Sequence, residues 1–153
     1  MKSTPSNVMI NLMAFARYDH SPDFPMQFIT RGTLNRDENN RYILCYRESQ
    51  KDEESGTEIH SDIEMTMEKD RVTMVRKGDF SSAMVFNRNQ RFEGFYRTPY
   101  GEIRMAVHTD HVRCDLREDA GSVHLKYQLS LDGAYASTNE LHLEYRAEKE
   151  KAQ

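Results

Sequence analysis

The stretch Ile59-His60-Ser61-Asp62-Ile63-Glu64-Met65-Thr66-Met67-Glu68-Lys69-Asp70-Arg71-Val72-Thr73-Met74-Val75-Arg76 decides the fold. Ile59, Ile63, Met65 and Met67 alternate with His60, Asp62, Glu64, Thr66 and Glu68. That period of two is the pattern of a strand with one dry and one wet face. A two-residue turn at Lys69-Asp70 sets Met67 opposite Val72 and Met65 opposite Met74, so four apolar side chains share the dry face. The same face continues to Arg76, where an apolar residue is expected.

The pattern repeats on both sides of this hairpin. Tyr42 to Glu48 is aromatic and β-branched, Val123 to Leu131 alternates around His124, Lys126, Gln128 and Ser130, and Leu141, Leu143 and Tyr145 alternate with His142 and Glu144. Strands are predicted near 8–18, 26–35, 41–49, 57–68, 71–78, 81–86, 91–97, 102–109, 112–117, 122–131 and 135–146. No segment carries a sustained helical stripe with caps, and many short strands at this spacing mean a sandwich or a barrel. Parity also tests the turns. A two-residue turn at Thr109-Asp110 pairs Val107 with Val112, and Thr98-Pro99-Tyr100-Gly101 reads as a type I turn setting Arg97 opposite Glu102. At Asp132-Gly133 a two-residue turn sets Leu125 opposite Glu140. A three-residue loop with Gly133 left-handed restores Leu125 opposite Leu141.

The chain has 153 residues, enough for one core, with residues 1–146 as the domain and 147–153 as a charged tail. Lys plus Arg is 21 and Asp plus Glu is 25, for a net charge of −4. That excludes a global polyanion binder, although Arg76 to Arg117 holds eight basic and five acidic residues. No run approaches the 20 or so apolar residues of a membrane helix. Val8 to Phe15 imitates a signal peptide, but Asn11 interrupts it and only Lys2 leads it. Cys45 and Cys114 fit no zinc or redox spacing and read as two reduced core thiols, which suits a cytoplasmic protein.

The strand Tyr42-x-Leu44-x-Tyr46-x-Glu48, the segment Val72-Thr73-Met74-Val75-Arg76-x-Gly78, and above all Tyr96-x-Thr98-Pro99-Tyr100-Gly101 resemble the YwiB-like family of uncharacterised bacterial proteins. The likeness runs from about Val8 to Tyr145. It implies a single antiparallel up-and-down β-barrel, calycin- or lipocalin-like, of about 8–11 short strands. It also implies a cytoplasmic setting and no established activity. The first segment is then a strand rather than a leader.

Chemistry is sparse. His108 and His111 flank the Thr109-Asp110 turn and face each other across it, but zinc needs three or four convergent ligands. His60, His124 and His142 fall on wet faces, so no metal is expected. There is no G-x-S-x-G elbow, no activated Cys45 and no glycine-rich phosphate loop; neither an enzyme nor a cofactor is indicated. Parity places Arg104 between Phe95 and Asp115, where local pairing satisfies it, so nucleic acid is not the expected partner.

The interior says more. Nine Met and eight Tyr accompany no Trp, and Met65, Met67, Met74, Met84 and Met105 fall on dry faces. Met fills irregular gaps and also lines adaptable binding surfaces. An inward Arg76 needs an acceptor, either Glu48 or the anionic group of a ligand. The reading that follows is a barrel binding a small, partly apolar or anionic molecule through Arg76, Glu48, Tyr46, Tyr96 and Tyr100. The alternative is a filled barrel acting on RNA or protein through its outer face.

Overall fold

A computed structural model describes residues 5–18, 24–51 and 54–148. Ten strands follow in chain order: β1 (Ser6–Tyr18), β2 (Phe24–Arg36), β3 (Tyr42–Lys51), β4 (Glu58–Glu68), β5 (Arg71–Gly78), β6 (Ser81–Asn87), β7 (Arg91–Thr98), β8 (Gly101–Leu116), β9 (Ala120–Leu131) and β10 (Ala134–Ala147). Each pairs antiparallel with its sequence neighbours, and β1 also pairs with β10, from Val8 opposite Ala147 to Tyr18 opposite Ser137. The result is a closed up-and-down barrel, with its shortest seam between β6 and β7, where Ser81 lies opposite Arg97 and Ser82 opposite Tyr96. Among the described residues no helix is long and apolar enough to cross a membrane.

Alternation puts Val8, Ile10, Leu44, Met65, Met67, Val72, Val107, Leu125 and Leu143 inside with essentially no exposure. The hairpin at Lys69-Asp70 forms with Met67 opposite Val72 and Met65 opposite Met74. The Pro99-Tyr100 turn likewise sets Arg97 opposite Glu102, joined Nε to Oε2 at 3.1 Å. Neither central residue has positive φ, as a type I turn requires. Thr98 Oγ1 accepts the Tyr100 amide at 3.1 Å and donates to the Gly101 carbonyl at 2.9 Å.

Two turns differ from the sequence reading. The Thr109-Asp110 turn does not exist: the two predicted segments are one strand, β8, paired with β9 from Met105 to Leu116 and bulged between Thr109 and His111. The extra residue shifts the alternation by one, so Val107, Thr109, Val112 and Cys114 are all buried. His108 and His111 therefore do not face each other. The β6–β7 turn docks on this bulge, where Asn89 N donates to the Thr109 carbonyl at 2.8 Å and Thr109 N to the Gln90 carbonyl at 3.2 Å. At Asp132-Gly133 the loop has two residues, both left-handed (φ 51° and 84°), as in a type I′ turn. A bulge between Tyr135 and Ser137 then restores Leu125 opposite Leu141.

Some side chains also lie elsewhere than expected. Cys114 is in the core, but Cys45 is only partly buried and faces outward between Thr33 and Glu64; both thiols are free. Arg104 pairs with Phe95 as expected, but its other neighbour is the Asp132 turn, not Asp115, which lies farther along the same strand. The tail begins later, since β10 reaches Ala147 and Glu148 pairs with Arg31 at 3.0 Å. Residues 149–153 lie outside the described residues, as do Asp19–Asp23 and Asp52–Glu53 of the two predicted loops.

Gly32 sits where β1 and β3 close on β2. A Cβ there would collide with the Cys45 carbonyl oxygen and lie 2.7 Å from Ile10 Cδ1. Backbone cannot yield as a flexible side chain does, so Gly32→Ala is expected to cost about 1–3 kcal/mol. Urea denaturation checks it: the midpoint falls while the m-value holds.

Candidate functional site

The site lies toward the end of the barrel where β1 meets β2, β3 meets β4 and β5 meets β6. Arg76 follows Val72 and Met74 on the dry face of β5, between Ile63 on β4 and Ser82 on β6. Its Nη1 donates to Glu48 Oε2 at 3.2 Å, and the two side chains are only 22% and 14% exposed. Glu48 reaches the same point from β3 by continuing the inward Tyr42, Leu44, Tyr46 series. The inward Arg thus has its carboxylate, and the pair adds no net charge to the interior.

The pair lines a cavity of about 490 Å³ whose walls include Leu12, Phe28, Tyr46, Met74, Met84 and Tyr127. Small Ala14 and Ala16 on β1 leave room there, while Phe15 and Glu140 reach the rim. A smaller space of about 280 Å³ touches the same ion pair, bounded by Ile59, Ser61, Phe80 and Tyr96. Ser82 Oγ, beside Arg76 in the register, is buried without a hydrogen-bond partner. A larger depression of about 610 Å³ runs along the outer face past Asp115, Arg117, Glu144 and Arg146. It has no comparable buried charge.

Electrostatics keep the phenols neutral. Burial raises Tyr46, with Glu48 adding to the effect. Burial also pushes Tyr127 up to about 12 and raises Tyr96, while Arg76 opposes the rise at both. Each hydroxyl can therefore both donate and accept at neutral pH. Phe28 leans on Tyr46 with centroids 6.3 Å apart, and Phe80 on Tyr96 at 6.0 Å.

Four of the five residues singled out in the sequence, Tyr46, Glu48, Arg76 and Tyr96, come together here. Tyr100 does not: it is 92% exposed at the tip of the Pro99 turn, because a two-residue hairpin projects its central side chains outward. Tyr127 and Phe28 were not singled out, and Met84 was read as a dry-face side chain without a place in the site. Their inward phase was legible, but which inward residues border empty space depends on closure between β1 and β10. Neither thiol is poised for chemistry: burial pushes Cys114 up to about 12 and raises Cys45.

A family model described as "Domain of unknown function (DUF1934)" matches residues 13–143. The crystal structure of the ywiB protein from Bacillus subtilis superposes with a TM-score of 0.80 at 16% identity, covering 97% of this chain and 96% of that one. At that identity the likeness concerns the fold alone. No curated protein matches the chain.

Proposed function

The chain belongs to the DUF1934 family, whose function is unknown, and on that barrel we propose small-molecule binding in the cavity beside Arg76 and Glu48. One observation carries the reading: a cavity of about 490 Å³, mainly apolar, bordered by a half-buried ion pair. Ligand sites run from about 300 to 1,000 Å³ and join apolar walls to a few convergent polar groups. The ligand is small and partly apolar, with a polar or anionic group that meets the Arg76 guanidinium, whose planar fork suits a carboxylate or phosphate. Tyr46 and Tyr127 orient it as neutral donors or acceptors, and Tyr96 lines the smaller space that touches the same ion pair. The protein acts as a binder without catalysis, in the cytoplasm, a setting that suits its free Cys45 and Cys114. The reading of a filled barrel acting through its surface has the cavity against it.

Anilinonaphthalene sulfonate, an apolar bicycle with one anionic group, tests the reading. Titrated into the folded chain it is expected to saturate near one equivalent. Arg76→Met should weaken it at least about tenfold, and the cavity-filling Met84→Trp should abolish it, with cooperative thermal melts retained in both. Absence of saturation, or binding unchanged in both variants, would overturn the proposal. The ion pair has a separate structural value, so Arg76→Ala should destabilise more than Arg76→Met, whose apolar stem replaces the lost packing.

A further inference from the structure

The register that pairs Leu125 with Leu141 also sets His124 of β9 directly opposite His142 of β10, on the outer face. Their imidazoles stack with centroids 4.0 Å apart and planes 17° apart. Both Nε2 atoms converge on one carboxylate oxygen, Glu140 Oε1, at 2.9 Å from His124 and 2.8 Å from His142. The three potential ligand atoms lie within 4.8 Å of one another. Two aromatic rings brace the cluster. His111 packs edge-on against His124 at 4.7 Å, and Phe15 of β1 meets His142 edge-on at 6.5 Å.

Surface histidines ordinarily point apart into water. Here two strands aim two imidazoles and a carboxylate at one point, and the bulge between Tyr135 and Ser137 sets the register that does so. A tetrahedral zinc ion, with bonds of about 2.0–2.1 Å, spaces its ligand atoms about 3.3 Å apart. The Nε2 to Oε1 separations of 2.9 and 2.8 Å lie close to that spacing. We propose that His124, Glu140 and His142 form a site for one divalent transition metal of the zinc class, with water in the remaining position. Imidazole nitrogen selects Zn²⁺, Ni²⁺ or Cu²⁺ over Mg²⁺ and Ca²⁺, which prefer all-oxygen shells. Without metal, each Nε2 donates its proton to Glu140. With metal, the Nε2 lone pairs bind the ion, the ring protons sit on Nδ1, and Glu140 supplies the one compensating charge.

Nearby cations limit the affinity. Lys126 lies opposite both Glu140 and His111, Arg113 lies opposite His124, and Arg88 acts on His111 from the β6–β7 turn. The site therefore binds more weakly than a closed structural zinc site. Glu140 also reaches the rim of the barrel cavity, but His124 and His142 do not line it, so variants at the two histidines test the metal site apart from the cavity.

Calorimetric titration of the full chain with zinc chloride, in a non-chelating buffer, tests it. One saturable equivalent is expected, with magnesium chloride giving none. His124→Asn and His142→Asn should each weaken zinc at least about tenfold. The double variant His60→Asn/His108→Asn, which removes two other exposed histidines, should bind as the parent does. Histidine ring signals of the unaltered chain give a readout that needs no variant: those of His124 and His142 should shift first on adding zinc. No saturable site, single variants that bind normally, or first shifts at other histidines would overturn the proposal.

Discussion

Tyr145→Ala is expected to lower the unfolding free energy by about 3–5 kcal/mol, the range for truncating a large buried aromatic residue. Tyr145 ends the inward Leu141, Leu143, Tyr145 series on β10 and is 2% exposed. Its hydroxyl does a second job at the end of the barrel where β8 meets β9. It donates to the Arg117 carbonyl at 2.6 Å and accepts the Arg117 amide at 3.2 Å, holding the start of the β8–β9 connection. The ring covers Gly121 so closely that an added Cβ would collide with its edge and hydroxyl. Tyr145→Phe separates these contributions: the ring stays, the two hydrogen bonds go, and about 1–2 kcal/mol is lost. Gly121→Ala should also destabilise, because it displaces the ring from its packing and its hydroxyl from Arg117. Guanidinium denaturation of the three variants gives the order, with Tyr145→Ala lowest.

Loss of stability above pH 9 is the second large expected effect. Burial pushes Tyr145, Tyr127 and Cys114 each up to about 12, and raises Tyr46 and Tyr96 as well. In the unfolded chain the phenols ionise near 10 and the thiol near 9. Each folded-state value is raised, so the stabilisation is fully present below the unfolded value. It is lost as pH rises toward the folded one, since over that window the native state holds protons that the unfolded state has released. Stability should be insensitive to these groups up to about pH 9, then fall steeply from 10 to 12. Cys114→Ala should flatten the earliest part of the fall. Denaturation midpoints at pH 8, 9.5 and 11, with tyrosinate absorbance followed in parallel, check this. Buried phenols that titrate near 10 with no change in midpoint would contradict it.

Local alternation made most of the fold legible. Glu58–Glu68 and Arg71–Gly78 declare their phase, and phase alone turned Arg76 inward and set Glu48 on the converging face. Phase alone also misled at Thr109-Asp110. A two-residue turn and a one-residue bulge both place Val107 and Val112 on the same side, so alternation does not separate a hairpin from a bent strand. What separates them is β9, which pairs along both halves of β8. The same ambiguity at Asp132-Gly133 gave the right register by a different loop, because the extra residue, Ala136, sits three positions after the turn. Tyr100 was misplaced for a different reason: the tetrapeptide makes a two-residue hairpin turn, whose central side chains project away from the barrel.

The candidate site needed information of longer range. Ala14 and Ala16 leave space in the interior only because β1 pairs with both β2 and β10. Nothing in the alternation of one strand reveals that empty volume. His124 and His142 were each read correctly as outward residues, whereas Glu140 was not singled out. Their convergence belongs to the pairing of β9 with β10, and it followed from a register already in hand once Leu125 was set opposite Leu141.

Native mass spectrometry of the protein as purified from cells tests the central claim, a hollow barrel that takes a small molecule beside Arg76, most directly. The chain is expected to carry a small non-covalent adduct that dissociates on collisional activation. Arg76→Met and Met84→Trp, purified in parallel and equally folded, should emerge without it. A bare chain mass for the unaltered protein, together with no saturable binding of the naphthalene sulfonate probe, would contradict the account.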